Sequence, residues 1–172
     1  MDLRVSKTQE SIQAQFLSQR KTKPLNKVSV KILCEKAKVN KSTFYRHYRD
    51  VFDLSDKMEA QLVKDIIMSF YGIECLFNDP GKFIKGLLEA IAPFEGEITT
   101  LFRGRLDVFT EMFETSLKKK YQPESPSQDI KLSFIVGGAA RAFLNTGYDY
   151  ETIAKSLEDI LREMPYVKQG QI

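Results

Sequence analysis

Apolar residues along this 172-residue chain return at intervals of three and four almost from end to end, and no stretch alternates with a period of two for long. That rhythm draws one apolar stripe along each of a series of helices and leaves no pleated face for a sheet, so it predicts an all-α protein. The clearest run is Leu54, Met58, Leu62, Ile66 and Phe70, which repeats every fourth residue as far as Gly72. With 42% hydrophobic residues, the chain is able to bury a core as one or two small domains without disulfides or metals to hold it.

Breakers divide the pattern. A first helix is predicted from about Ser6 to Arg20, with Ile12, Phe16 and Leu17 on one side, ending before the basic loop Lys21-Thr22-Lys23-Pro24. Ser29 suits the N-cap of a second helix, whose inward face is Val30, Leu33 and Ala37. Asn40 is placed to cap a third, running from Lys41 to about Tyr48, and the long fourth helix follows. Asn78-Asp79-Pro80-Gly81 breaks the chain, Pro93 and Gly104 divide shorter helices that end near Tyr121, and Gln122 to Pro126 reads as an exposed loop. Two last helices are predicted over residues 128–145 and 150–164. The expected domains are a head of residues 1–52 and a body of residues 53–172.

Charge is unevenly spread along the chain. The first 50 residues hold twelve Lys or Arg against four acids, a net of +8, and the remainder holds 14 basic and 19 acidic residues, a net of −5. A basic head suits a polyanion, because each phosphate neutralised by Lys or Arg releases condensed counterions; a merely solvated basic surface is the alternative. Cys34 and Cys75 lie far apart in helical sequence, which fits packing residues of a reduced intracellular protein. No apolar leader and no run of about 18 apolar residues is present, so a cytoplasmic protein with no membrane partner is expected.

Helices two and three, joined by a short turn, have the spacing of a helix-turn-helix, in which the second helix enters the major groove. Leu33, Ala37, Val39 and Phe44 supply the small apolar centre that sets the inter-helix angle. Lys41, Ser42, Thr43, Tyr45, Arg46 and His47 are left without an apolar role, and their groups suit phosphate oxygens and base edges.

The segment Val28 to Leu54, "VSVKILCEKAKVNKSTFYRHYRDVFDL", resembles the DNA-binding domain of TetR-type transcriptional regulators, with Val30, Leu33, Ala37, Val39, Thr43, Phe44, Tyr45, His47, Tyr48 and Leu54 as the matching residues. The wording "STFYRHY" and the later "FIVGG", Phe134 to Gly138, are similar to a branch of that family that includes activators of dihydroxyacetone-kinase operons. The resemblance implies a homodimer of all-α subunits that binds double-stranded DNA. By position, Lys41, Ser42 and Thr43 would face base edges or adjacent phosphates, Tyr45 and His47 would clamp phosphates, and Ser29 would offer the start of helix two to the backbone. Arg46 and Arg49 add charge, and Lys38 and Asn40 flank the turn. This chain departs from the family pattern at two positions: Lys38 stands where a Gly is usual in the turn, and Val51 stands where helix four usually starts with Lys.

Seven of the twelve phenylalanines, Phe70, Phe77, Phe83, Phe94, Phe102, Phe109 and Phe113, fall in the region that encloses an effector pocket in many such regulators. Aromatics at helical spacing also serve as plain core, and the residues leave both readings open. Charged neighbours such as Glu74, Arg103, Arg105 and Glu111 either line a cavity or lie on the surface. The stripe Ile153, Leu157, Ile160, Leu161 and Met164, with the slim preceding helix carrying Phe134, Gly137, Gly138 and Arg141, is the expected dimer interface.

His47 is the only histidine, which argues against a His-rich metal site, and "DPGKFIKG" lacks the spacing of a phosphate loop. No cofactor and no enzyme activity are expected. The expected function is a sequence-specific regulator, read as a repressor, acting as a homodimer on a palindromic operator under a possible small-molecule effector. Two rivals are a protein-binding co-activator or adaptor of the same fold with weak DNA binding, and a structural helical module with an incidental basic head.

Overall fold

The computed structural model describes residues 3–75, 79–145 and 147–163. Among the described residues the regular structure is entirely helical, as the periodicity requires. The helices are α1 Leu3–Arg20, α2 Val30–Ala37, α3 Lys41–His47, α4 Val51–Ser69, α5 Pro80–Ile91, α6 Glu95–Leu101, α7 Leu106–Tyr121, α8 Pro126–Asn145 and α9 Tyr150–Glu163, with 3-10 turns at Leu25–Lys27, Ile73–Cys75 and Ala92–Phe94. The described residues form two compact units, one drawn from Met1–Leu62 with Gly96–Leu106, the other from Val63–Glu95 with Asp107–Ile172. The boundary expected after residue 52 falls inside α4, and the units divide after Leu62.

In the first unit, α1 buries Ile12 and Phe16, one helical turn apart, against α2, which buries Leu33, Cys34 and Ala37. α1 also holds α2 at both ends by hydrogen bonds. The Gln19 side-chain amide accepts from Ser29 N–H at 3.3 Å and donates to Ser29 C=O at 3.4 Å, while Ser11 Oγ donates to Ala37 C=O at 3.3 Å. α2 stops at Lys38, whose φ of 56° and ψ of 41° are left-handed. The Val39 N–H reaches back to Cys34 C=O at 3.0 Å and closes the helix end in the Schellman manner. A lysine in this conformation costs about 1 kcal/mol relative to the glycine usually found there.

Residues 96–106 join the first unit through arginine contacts. Arg20, only 1% exposed, donates to Lys23 C=O and Leu101 C=O, both at 2.9 Å. Arg103 donates to Lys21 C=O at 2.8 Å, and Arg105 pairs with the buried carboxylate of Glu59, which also accepts from Ser55 Oγ at 2.6 Å. Burial, and next the nearby Arg105, lower the Arg20 pKa from its ordinary value, with Glu59 acting in the other direction. Arg103 thus lies on the surface and Arg105 is half-buried, and both are engaged with the first unit.

The second unit packs α9 against both α5 and α8. Asp79 caps α5, accepting from Lys82 N–H at 3.0 Å, with Pro80 in the first turn. The buried face of α5 is Phe83, Ile84, Leu87, Leu88 and Ile91. Gly86 is required by close approach, since a Cβ there would stand 2.7 Å from the Tyr71 carbonyl oxygen. The end of α4 is held from α7: Lys120 Nζ donates to Ile67 C=O at 2.7 Å and to Phe70 C=O at 3.1 Å, placing a cation at the negative end of that helix.

Candidate nucleic-acid interface

α2 and α3 meet through the turn at Lys38, and Phe44 is the buried residue of α3. Phe44 makes edge contact with Tyr45 and a tilted contact with Tyr48, at centroid separations of 5.4 and 5.5 Å. With Phe44 turned inward, α3 leaves its polar residues outside. Lys41, Ser42, Tyr45 and Arg46 are exposed, as are Lys38, Asn40 and Arg49, while Ser29, Thr43 and His47 are half-buried. The residues singled out from the sequence around the turn and α3 are thus brought to one short helix and its two ends.

Three of these positions carry more detail. Ser29 is the N-cap of α2, its hydroxyl accepting from Ile32 N–H at 3.4 Å. Asn40 holds the N-cap position of α3 with extended backbone but makes no capping bond through its side chain; the α3 start is closed instead by Thr43 and Phe44 N–H on the Asn40 carbonyl, at 3.0 and 3.2 Å. The Nε2 atom of His47 is enclosed and has no hydrogen-bond partner.

Behind α3 lies a polar cluster that periodicity did not single out. Asp50 caps α4, its Oδ1 accepting from Phe52 and Asp53 N–H, each at 2.8 Å. Asp53 accepts from Arg49 N–H at 3.0 Å and from Lys57 Nζ at 2.9 Å. The Lys57 hydrogen bond, followed by that from the Arg49 backbone, holds the Asp53 carboxyl below its ordinary pKa. An Asp four residues before a Lys on a helix was the available sequence signal.

The other two expected sites are distributed differently. Phe70, Phe83, Phe109 and Phe113 are core residues of the second unit, paired as an edge contact at 5.4 Å and a stack at 5.7 Å, whereas Phe102 is buried and belongs to the first unit. Phe94 is half-buried and lines a cleft of about 340 Å³ with Tyr71, Gly86, Glu89 and Pro93. Phe77 lies outside the described residues. A groove of about 820 Å³ runs between α5 and α9, lined by Lys82, Lys85, Leu88, Ala154 and Glu158 among others.

On α8 and α9, Phe134, Arg141 and Ile160 are exposed, while Ile153 and Leu157 are buried within the chain. Leu157 Cδ2 would lie 3.7 Å from a Cβ on Gly138, so that glycine also serves the packing of α9 on α8. Gly137 is half-buried, with open space where its Cβ would stand. The Leu161 side chain and Met164 lie outside what is described.

Among the described residues there is no group of three or more His, Cys, Asp or Glu able to hold a metal ion, and no helix is long and apolar enough to cross a membrane.

Neither a family model nor a curated protein sequence matches the chain. A solved structure does: the crystal structure of a transcriptional regulator (TerR/AcrR family) from Aquifex aeolicus VF5, 17% identical, superposes with a TM-score of 0.57 over 92% of this chain and 97% of that one. The chain has the all-α fold of that regulator.

Proposed function

We propose that the chain is a DNA-binding transcriptional regulator that reads duplex sequence through α3. The observation that supports this most is the division of α3 itself: Phe44 is buried, and Lys41, Ser42, Tyr45 and Arg46 point out of a unit whose first 50 residues carry a net charge of +8. In this reading Thr43 meets base edges, and Lys41 and Ser42 beside it meet base edges or the adjacent phosphates. Tyr45, Arg46 and Arg49 hold phosphates, with Lys38, Ser29, Asn40 and His47 at the margins. The likeness of fold to a transcriptional regulator supports the same reading.

The finer parts of the proposal are a homodimer, an inverted-repeat operator, action as a repressor and control by a small molecule. Exposed Ile130 and Phe134 on α8 and Ile160 on α9 support pairing with a second copy, which would set two recognition helices about one DNA turn or a multiple apart. The aromatic body and the cleft beside Phe94 are where an effector would be sought. Kinship with activators of dihydroxyacetone-kinase operons rests on the "STFYRHY" and "FIVGG" wording.

Selection of bound duplexes from a random pool across a salt series tests the reading. An enriched inverted repeat, with affinity falling steeply as salt rises, is expected. Arg46→Ala and Lys41→Ala should weaken binding to every duplex and each reduce the salt slope by about one, whereas Thr43→Ala should change the enriched sequence. Binding without enrichment, unaffected by all three substitutions, would remove α3 as the reading element and favour the adaptor.

A further inference from the structure

The joint between α3 and α4 is made by two α4 side chains. Lys57 Nζ donates to the carbonyl of His47, the last residue of α3, at 3.0 Å, and to Asp53 Oδ2 at 2.9 Å. It also stands 5.3 Å from the centre of the Tyr48 ring. Asp53, whose side chain is 11% exposed, in turn accepts from the Arg49 backbone N–H and pairs with the Arg49 guanidinium at 3.4 Å.

α3 has seven residues. A helix so short gains little from its own hydrogen bonds and takes its direction from whatever holds its ends. Its start is tied by the turn after Lys38 and its middle by Phe44; its last carbonyl, that of His47, is held by Lys57. An ammonium carries three donors, and the two hydrogen bonds here are directed to Asp53 and to the end of α3 rather than outward. A cation at a helix C-terminus is also favoured by the helix dipole.

We infer that Lys57, docked by Asp53, is a positioning residue of the interface: it fastens the C-terminal end of α3 to α4 and so sets the direction in which the exposed α3 side chains approach base edges. The inference rests on the DNA-reading function proposed above.

The test uses the full chain. Lys57→Met keeps the aliphatic stem without the ammonium, Lys57→Arg restores a charged donor, and Lys64→Met removes a charge from an exposed position further along α4. Dissociation constants are measured over a salt series for the enriched duplex and a scrambled one, and hydrogen exchange is followed at amides 44–49. Lys57→Met should weaken the enriched duplex about tenfold and the scrambled one less than about twofold, the size expected for loss of one charge-assisted hydrogen bond that acts on orientation. The salt slope should hold, exchange at 44–49 should rise, and Lys57→Arg should recover most of both effects. Lys64→Met should change neither, and Asp53→Asn should act in the same direction as Lys57→Met. Equal losses on both duplexes, with the slope reduced by about one charge, would make Lys57 a direct phosphate contact and overturn the inference. Unchanged exchange at 44–49 would overturn it as well. If the unaltered chain enriches no duplex, the proposed function fails, and the exchange result still decides whether Lys57 holds α3.

Discussion

Glu59 is the carboxylate that Arg105 and Ser55 share, and it is 2% exposed. Its charge also supports the buried Arg20 guanidinium, against burial first and the nearby Arg105 next. Glu59 is buried and the Arg105 side chain is 35% exposed, so removing the carboxylate leaves a partly desolvated charge uncompensated, which costs more than the pair itself contributes. Glu59→Gln should therefore lower unfolding stability by about 2–4 kcal/mol. The chain has no tryptophan, so urea unfolding followed by far-ultraviolet circular dichroism is the suitable measurement. A loss below about 0.5 kcal/mol, the range of an ordinary surface change, would mean that water replaces the carboxylate at Arg105.

At the scale of elements, α7 and α8 are joined by a half-buried network. Ser133 Oγ donates to Glu114 at 2.7 Å, and Lys118 Nζ lies 2.9 Å from both Glu114 and Asp129. Burial pushes the Glu114 carboxyl up, but the hydrogen bonds from Ser133 and Lys118 outweigh it, and its pKa ends below the ordinary 4.5. Lys118 is raised above its ordinary 10.5, by its bond to Asp129 and then by that to Glu114. A depressed carboxylate contributes stability that is complete above its unfolded pKa and lost as pH falls through the folded one. A raised lysine contributes below its unfolded pKa and loses that contribution as pH rises through the folded one. The network therefore stabilises across the neutral range and weakens at both ends. Glu114→Gln should cost about 1 kcal/mol at neutral pH. The gap in melting temperature from the unaltered chain should close as the medium is acidified below pH 4.5. A gap that persists undiminished in acid would assign the effect to packing rather than charge.

For the molecule as a whole, the informative position is Gly137. It lies within α8, where glycine is about 1 kcal/mol less favourable than alanine, yet a Cβ there would meet nothing within 4 Å among the described residues. Packing within the described chain gives no reason for a glycine, whereas the homodimer proposed above, closing on Phe134 and Ile160, would. Gly137→Ala should raise the melting temperature of the separated subunit and weaken self-association, measured by sedimentation equilibrium over a dilution series. Unchanged association together with a higher melting temperature would place any dimer contact elsewhere.

The all-helical architecture was readable because it follows from spacing. Leu54, Leu62, Ile66 and Phe70 are buried at the positions their period assigns, and the turns follow the residues that start or stop helices, Ser29, Asp79 and Gly104 among them. The composition of α3 was legible for the same reason, since a single apolar residue, Phe44, among donors allows few arrangements. What periodicity misassigns is a polar residue on an inward face. Arg20 and Glu59 sit at buried positions, and the return of residues 96–106 to the first unit brings the Leu101 carbonyl to the one and Arg105 to the other. Asp53 and Lys57 look like an ordinary helix-surface pair until the chain places the end of α3 against them. Local sequence determines which face of a helix is apolar. Which charge finds a partner, and whether a phenylalanine such as Phe102 belongs to one core or another, depends on segments far apart in the chain, and tertiary packing alone decides it.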